Sequence, residues 1–258
     1  MGIMEKMRLD GKSIFVTGGA RGIGKSVAYG FAEAGASVAI ADIDIDEARK
    51  TAAAIASDTG AKTIAIQVDV TCPNQVNSMV DEVVKSFGKL DVAFANAGIC
   101  INEPAEEMSF ESWKKVIDIN LTGVFLTNQA AGRVMIKQKG GSIINTASMS
   151  AGIVNYPQPQ CAYNPSKAGV VSLTQCLAVE WAEKNVRVNA VSPGYIETEL
   201  ILESKKLVPL MEKWKAATPQ RRMGKPEELQ AICVYLAGDA STYTTGSNFI
   251  IDGGFTCL

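Results

Sequence analysis

The chain has 258 residues, 47% hydrophobic and 20% charged, with a net charge of −2 and no histidine. That is enough apolar material for a sizeable core, and without a basic run no nucleic-acid groove is expected. The missing histidine removes serine–histidine and cysteine–histidine hydrolases, and six scattered cysteines with no C-x-x-C pair offer neither an obvious zinc or copper site nor a disulfide framework.

No apolar stretch approaches the roughly 20 residues that span a bilayer, and the opening MGIMEKMRLDG has no apolar signal segment. Lys6 stands where a myristoylation signal carries Ser or Thr, so a soluble cytoplasmic protein without a membrane partner is expected.

Along the chain, short β-branched runs alternate with helical periodicities. The first strand, Ser13–Thr17, runs into TGGARGIG (17–24) and a helix over Ile23–Ala34. Glycine at 18, 22 and 24 allows a tight turn and a close backbone approach to a phosphate, with the helix N-terminus facing the anion. The spacing is G-x-x-x-G-x-G, not the G-x-G-x-x-G dinucleotide fingerprint, so its place between strand and helix carries the reading. The second strand, Ser37–Ala41, ends at Asp42, a carboxylate suited to the ribose hydroxyls of NAD and repellent to the 2′-phosphate of NADP. Asp42 is equally a candidate N-cap for the helix Asp46–Ser57, although Asp44 also fits that role. Arg21 dissents, because an arginine there could reach a 2′-phosphate.

Strands over Thr63–Val68, Leu90–Phe94, Gly141–Asn145, Arg187–Val191 and Asn248–Ile251 follow, between helices over Gln75–Phe87, Phe110–Lys137, Asn164–Lys184 and Pro226–Leu236. Continuous apolar strands in a repeated βα order predict an α/β fold: a doubly wound (Rossmann) parallel sheet of about seven strands, helices on both faces and right-handed crossovers. No linker divides it, so residues 1–258 are expected to form a single domain. Residues 195–225 interrupt the rhythm between a strand and a helix and suggest a substrate lid.

YNPSK (163–167) sets the chemical question. Tyr163 and Lys167, four apart, share a helix face. The ammonium, with the charge of an oxidised nicotinamide, should lower the phenol's pKa enough for it to act as general acid and base. Pro165 requires that the helix begin here. Apolar residues on several sides of this helix, among them Val170, Leu173, Val179 and Trp181, suggest one face on the sheet and another on a second subunit.

Together with ANAG (95–98), Asn120 in DINLTGVF, Ser148 in NTASMS, SPGYIET (192–198) and the terminal DGG, these motifs resemble the short-chain dehydrogenase/reductase family over nearly the whole chain. The resemblance implies a nicotinamide dinucleotide cofactor, a homotetramer, and roles for individual residues. Ser148 would hold the substrate oxygen, Tyr163 act as acid/base, Lys167 hold the nicotinamide ribose and depress the phenol's pKa, and Asn120 anchor a water relay from Lys167 to solvent. Gly18, Arg21, Gly22, Ile23, Gly24, Asp42, Asp69, Val70, Asn96, Ala97, Gly98, Pro193, Ile196 and Thr198 would line the cofactor, beside Tyr163 and Lys167. Ala95 departs from the family's Asn-Asn-Ala-Gly, which questions a backbone-supporting hydrogen bond there.

The stretch SAGIVNYPQPQCA (150–162) leads to Tyr163 and carries Asn155, Gln158 and Gln160, with Asn102 and Glu103 after another strand end. Amides and a carboxylate suit a polyhydroxy substrate, and Asn155 and Gln158 are the expected contacts beside Ser148 and Tyr163. The runs around YNPSK, EWAEKNVRVNAVSPGYIETEL and STYTTGSNFIIDGGFTCL resemble the family branch that interconverts polyols and ketoses. An NAD-dependent polyol dehydrogenase is therefore expected. The alternatives are an NADPH-dependent 3-oxoacyl-thioester reductase and, in another class, a non-catalytic dinucleotide-binding regulator.

Overall fold

The computed structural model describes residues 2–203 and 207–258. Its strands are β1 (Ser13–Thr17), β2 (Ser37–Asp42), β3 (Thr63–Gln67), β4 (Val92–Ala95), β5 (Gly141–Thr146), β6 (Val186–Pro193) and β7 (Asn248–Ile251). They form one parallel sheet in the order β3-β2-β1-β4-β5-β6-β7. The helices are α1 (Ile3–Met7), α2 (Gly22–Glu33), α3 (Ile45–Thr59), α4 (Pro73–Phe87), α5 (Phe110–Ile117), α6 (Gly123–Gln138), α7 (Tyr163–Trp181), α8 (Glu199–Leu202), α9 (Val208–Ala217) and α10 (Gln230–Ala237).

Successive strand residues point to opposite faces, and both faces are covered. Ile14 and Val16 of β1 join Val27, Phe31, Ile55 and Leu236 of α2, α3 and α10 in one core cluster. Phe15 joins Val76 and Met79 of α4, Met135 of α6 and Leu177 of α7 in the other. Because the sheet runs outward from β1 in one direction and from β4 in the other, a crevice opens at their C-terminal ends. Among the described residues, no helix is long and apolar enough to cross a membrane.

Two expectations need correction, and one helix was not foreseen. The helix foreseen over Phe110–Lys137 is broken by a π-helical turn, Asp118–Thr122, between α5 and α6. Gly123 N there donates to Asp118 O, and the turn carries Asn120 on the inner side, where its carboxamide is fully buried. The helix foreseen from Pro226 starts as a 3₁₀ turn, Pro226–Leu229. The short α1 buries no residue, so it leaves no periodic signal to read. Of the stretch 195–225, residues 204–206 lie outside the described residues, and the rest carries α8 and α9.

Candidate active site

At the end of β1 the backbone is left-handed at Gly18 (φ 61°) and Gly22 (φ 56°). A Cβ on Gly18 would lie 2.9 Å from the Ala97 Cα, and one on Gly24 would lie 2.1 Å from the Gly18 carbonyl oxygen. The turn is thus closed to side chains, and it brings the N-terminus of α2 to the crevice. Asn96 fastens it: Nδ2 donates to Thr17 O at 3.2 Å and to Gly18 O at 3.1 Å, while Oδ1 accepts from Thr146 Oγ1 at 3.2 Å. Thr17 Oγ1 accepts from the Asn96 and Ala97 N–H groups. Ala95 is buried in β4 opposite Asn145, so Asn96 does the fastening without an amide at 95. Ile23 packs against the adjoining core cluster.

Asp42 ends β2 with its carboxylate fixed: Oδ2 accepts from Ala20 N and Oδ1 from Asp44 N, each at 3.1 Å. Asp44 caps α3, accepting from Glu47 N at 3.1 Å, which leaves Asp42 free of that role. Arg21 is held at 3.1 Å from Asp44 and 3.5 Å from Glu47; desolvation is the largest single influence on its pKa and lowers it, but the two carboxylates together raise it above the usual value. Asp69 Oδ1 accepts from Thr71 N and Oγ1, and Val70 is buried with its Cγ2 2.8 Å from where a Cβ on Gly123 would stand. Beside Asp69 lies a cavity of about 410 Å³, lined among others by Ile43, Thr71, Lys115 and Ile119. Across the crevice, Pro193 ends β6, Ile196 is buried, and the Thr198 methyl comes within 3.5 Å of a Cβ built on Gly22. An anion-accepting turn, a carboxylate past the second strand and a cavity beyond it fit an extended dinucleotide.

Tyr163 is the first residue of α7, with Pro165 in the first turn as its lost N–H requires. Ser148 leaves β5 for a 3₁₀ turn; its Oγ accepts from Ser150 N at 3.1 Å, and its hydroxyl lies close enough to Tyr163 to pull the phenol's pKa down. Lys167 is buried, its Nζ 5.8 Å from the centre of the Tyr163 ring and donating to Thr146 O at 2.7 Å. Asn120 clasps Ile99, accepting from its N–H at 2.8 Å and donating to its carbonyl at 2.9 Å, and also donates to Ser166 Oγ at 3.1 Å. A Cβ on Gly98 would lie 3.3 Å from Asn120 Oδ1 and 3.5 Å from Lys167 Nζ, so the two side chains converge on that glycine.

The protein's own groups by themselves do not lower the phenol's pKa. Burial pushes Tyr163 up to about 12, and the Ser148 hydrogen bond opposes this only in part. Burial likewise pushes Lys167 down to about 8, against a small upward pull from Cys100. The cation lies over the ring and is tied to a carbonyl, whereas desolvation acts on both charged forms directly.

The amides expected to meet substrate are committed elsewhere. Asn155 Nδ2 donates to Tyr195 Oη at 3.0 Å and Gln158 Nε2 to the same oxygen at 3.3 Å. Gln158 Oε1 accepts from Trp214 Nε1 at 3.3 Å, and Tyr195 and Trp214 stack with centroids 4.3 Å apart. Asn155 and Gln158 therefore lock the loop before α7 to α9. Sequence reading missed Thr17, Ser166, Tyr195 and Trp214. Ser166 was open to view inside YNPSK, but Tyr195 and Trp214 lie far apart in a stretch without periodicity.

A crevice shaped for a dinucleotide that ends beside a half-buried phenol and a buried ammonium is the arrangement of a nicotinamide-dependent oxidoreductase. Comparison with known proteins carries this to a family. A family model described as Enoyl-(Acyl carrier protein) reductase matches residues 18–256. A sorbose reductase of Candida albicans is 42% identical over 99% of this chain and 90% of its own. A probable NADP-dependent mannitol dehydrogenase of Yarrowia lipolytica is 42% identical over 99% of this chain and 91% of its own. The crystal structure of a short-chain type dehydrogenase/reductase from Mycobacterium marinum matches with a TM-score of 0.96 at 46% identity, covering 100% of both chains. The chain belongs to the short-chain dehydrogenase/reductase family and is an oxidoreductase.

Proposed function

We propose that the protein is an NAD-dependent polyol dehydrogenase that oxidises a secondary alcohol of a sugar alcohol to its ketose and reverses the reaction. The observation that carries it is the convergence of Ser148, Tyr163 and Lys167 at the end of a crevice whose second strand closes with an immobilised Asp42. The likeness to a sorbose reductase and to a mannitol dehydrogenase supports the substrate class. Against the NADP of the latter, Asp42 presents a fixed negative charge and Arg21 is already neutralised by Asp44 and Glu47.

Gly18, Gly22 and Gly24 would admit the pyrophosphate, Asp42 the adenosine ribose, Asp69 and Val70 the adenine edge, and Asn96 to Gly98 the middle of the cofactor. Pro193, Ile196 and Thr198 would close over the nicotinamide end. An oxidised nicotinamide held there would supply the hydride acceptor and, before transfer, a positive charge beside the phenol. Ser148 donates to the substrate oxygen and holds the charge that develops on it. Tyr163 takes the hydroxyl proton in oxidation and returns it in reduction. Lys167, charged at neutral pH with its pKa at about 8, would hold the ribose hydroxyls. Asn120, converging with Lys167 on Gly98, anchors the water path that carries the proton onward. The stretch 195–225 serves as the lid.

A panel of sorbitol, mannitol, arabinitol and xylitol with NAD tests the substrate class, read by absorbance of the reduced nicotinamide. Inert polyols together with reduction of an acetoacetyl thioester by NADPH would replace this reading with the acyl-thioester one. Tyr163→Phe should lower turnover by about 10²- to 10⁴-fold, the range of a general acid–base contribution. Full activity without the phenol would remove Tyr163 from its role, and no turnover with any alcohol or ketone would favour a non-catalytic regulator.

A further inference from the structure

Gln160 is unused by the catalytic reading, yet it stands close to the reacting groups. Asn164 N donates to Gln160 O at 3.1 Å, which ties Gln160 to the start of α7. Its amide touches Cys100, and Cys100 acts electrostatically on both Tyr163 and Lys167, so the amide lies near the phenol and the ammonium.

The amide has one defined orientation. Gln160 Nε2 donates to Cys100 Sγ at 3.3 Å, and Cys100 donates to Asn102 Oδ1 at 3.3 Å. A thiol has one proton, and with that proton on Asn102 the sulfur can only accept from Gln160. Cys100 is exposed as a residue, but the protein around its sulfur desolvates the thiol and pushes its pKa up to about 11, so it keeps its proton at neutral pH. The other end of the amide is left over. Gln160 Oε1 is shielded from solvent and has no hydrogen-bond partner among the described residues. A buried acceptor without a donor is costly, and a folded protein rarely retains one without a use for it. Asn155 and Gln158 show the contrast, since their amides are taken up by Tyr195 and Trp214.

We propose that Gln160 Oε1 accepts a hydrogen bond from a substrate hydroxyl within two carbons of the one that Tyr163 deprotonates, and thereby selects polyhydroxy substrates over simple secondary alcohols. This rests on the polyol reading and names the residue that enforces it. A substrate with a methylene at that position leaves the oxygen unpaired, and a site built around such a contact discriminates against the analogue that lacks it.

The test compares kcat/KM for the best polyol with that for its deoxy analogues, each lacking one hydroxyl within two carbons of the reacting carbon. It is run in the parent enzyme and in Gln160→Met, which keeps the length and removes the acceptor. In the parent one analogue should fall about tenfold below the polyol, and in Gln160→Met that difference should shrink to about twofold, as expected when one hydrogen bond and its unpaired state are removed. A difference that persists in Gln160→Met, or is absent from the parent, overturns the proposal and leaves the polyol reading standing. Polyols inert while simple alcohols are oxidised would overturn both. If Gln160→Met does not fold, Cys100→Ala frees the amide from its sulfur anchor, and an undiminished difference there also overturns the proposal.

Discussion

Cofactor choice turns on a charge that cannot move away. Asp42 is fastened by the Ala20 and Asp44 N–H groups at 3.1 Å each, so it cannot swing aside for a 2′-phosphate. Two unit charges about 4 Å apart repel by about 1 kcal/mol in water and about 4 kcal/mol at an effective dielectric constant near 20. Asp42 is partly exposed, which places it between those limits, with further damping by salt over a Debye length of about 10 Å. A repulsion of about 1.5–3 kcal/mol corresponds to about one to two orders of magnitude in kcat/KM favouring NAD over NADP. Asp42→Asn removes the charge and retains one oxygen that can accept from Ala20 N–H, so that bond survives while the Asp44 N–H loses its acceptor. Initial rates with both cofactors at two ionic strengths provide the assay. The NAD preference should fall about tenfold or more in Asp42→Asn, and raising the salt should reduce it in the parent but not in the variant. A parent that uses the two cofactors equally, or a variant whose ratio stays within about twofold of the parent's, refutes the reasoning.

Two further outcomes follow. The pKa of Lys167 falls from its ordinary 10.5 to about 8 on burial, so between those values the unfolded state binds the extra proton and stability rises with pH. Tyr163 and Cys100 are shifted upward and act in the opposite sense in alkaline solution, so the measurable quantity is the difference between parent and Lys167→Met. In urea unfolding at pH 7.5 and 9.5 the parent should gain on the variant, and a difference that does not change with pH refutes the buried-ammonium account. We also propose a homotetramer in which the outer side of α7, where Val179 is 80% exposed, packs on another subunit. Light scattering should give four chains per particle, and a monomer at micromolar concentration refutes it.

The strands were legible because buried parallel strands need apolar residues on both faces, as the runs around Phe15, Ala39 and Ile143 have. The phenol–ammonium pair was legible because a spacing of four is a geometric statement once the helix start at Pro165 is granted. The π turn at Asn120 was not. It depends on Asn120 meeting the backbone of Ile99, twenty-one positions away in sequence, and on Gly123 yielding space to Val70. The fate of Asn155 and Gln158 was hidden for the same reason, since Tyr195 and Trp214 reach them only after α9 has packed. Local spacing names groups that share a helix face, but it does not say which amide has already found a partner.

The same limit explains the phenol. Spacing places Lys167 beside Tyr163 but does not reveal that Lys167 is buried and Tyr163 partly so. Where two such groups lose water together, desolvation raises the acid and lowers the base, and a cation 5.8 Å from the ring centre must outweigh that cost before it can lower the phenol's pKa. In this fold it does not, so at neutral pH the pair stands as neutral tyrosine and ammonium. On the proposed reading Tyr163 would therefore be set to donate a proton in ketone reduction. To accept one in alcohol oxidation it would need positive charge beyond what Lys167 supplies, which an oxidised nicotinamide would bring. The proton state of this one residue would thereby tie the direction of catalysis to the oxidation state of the cofactor.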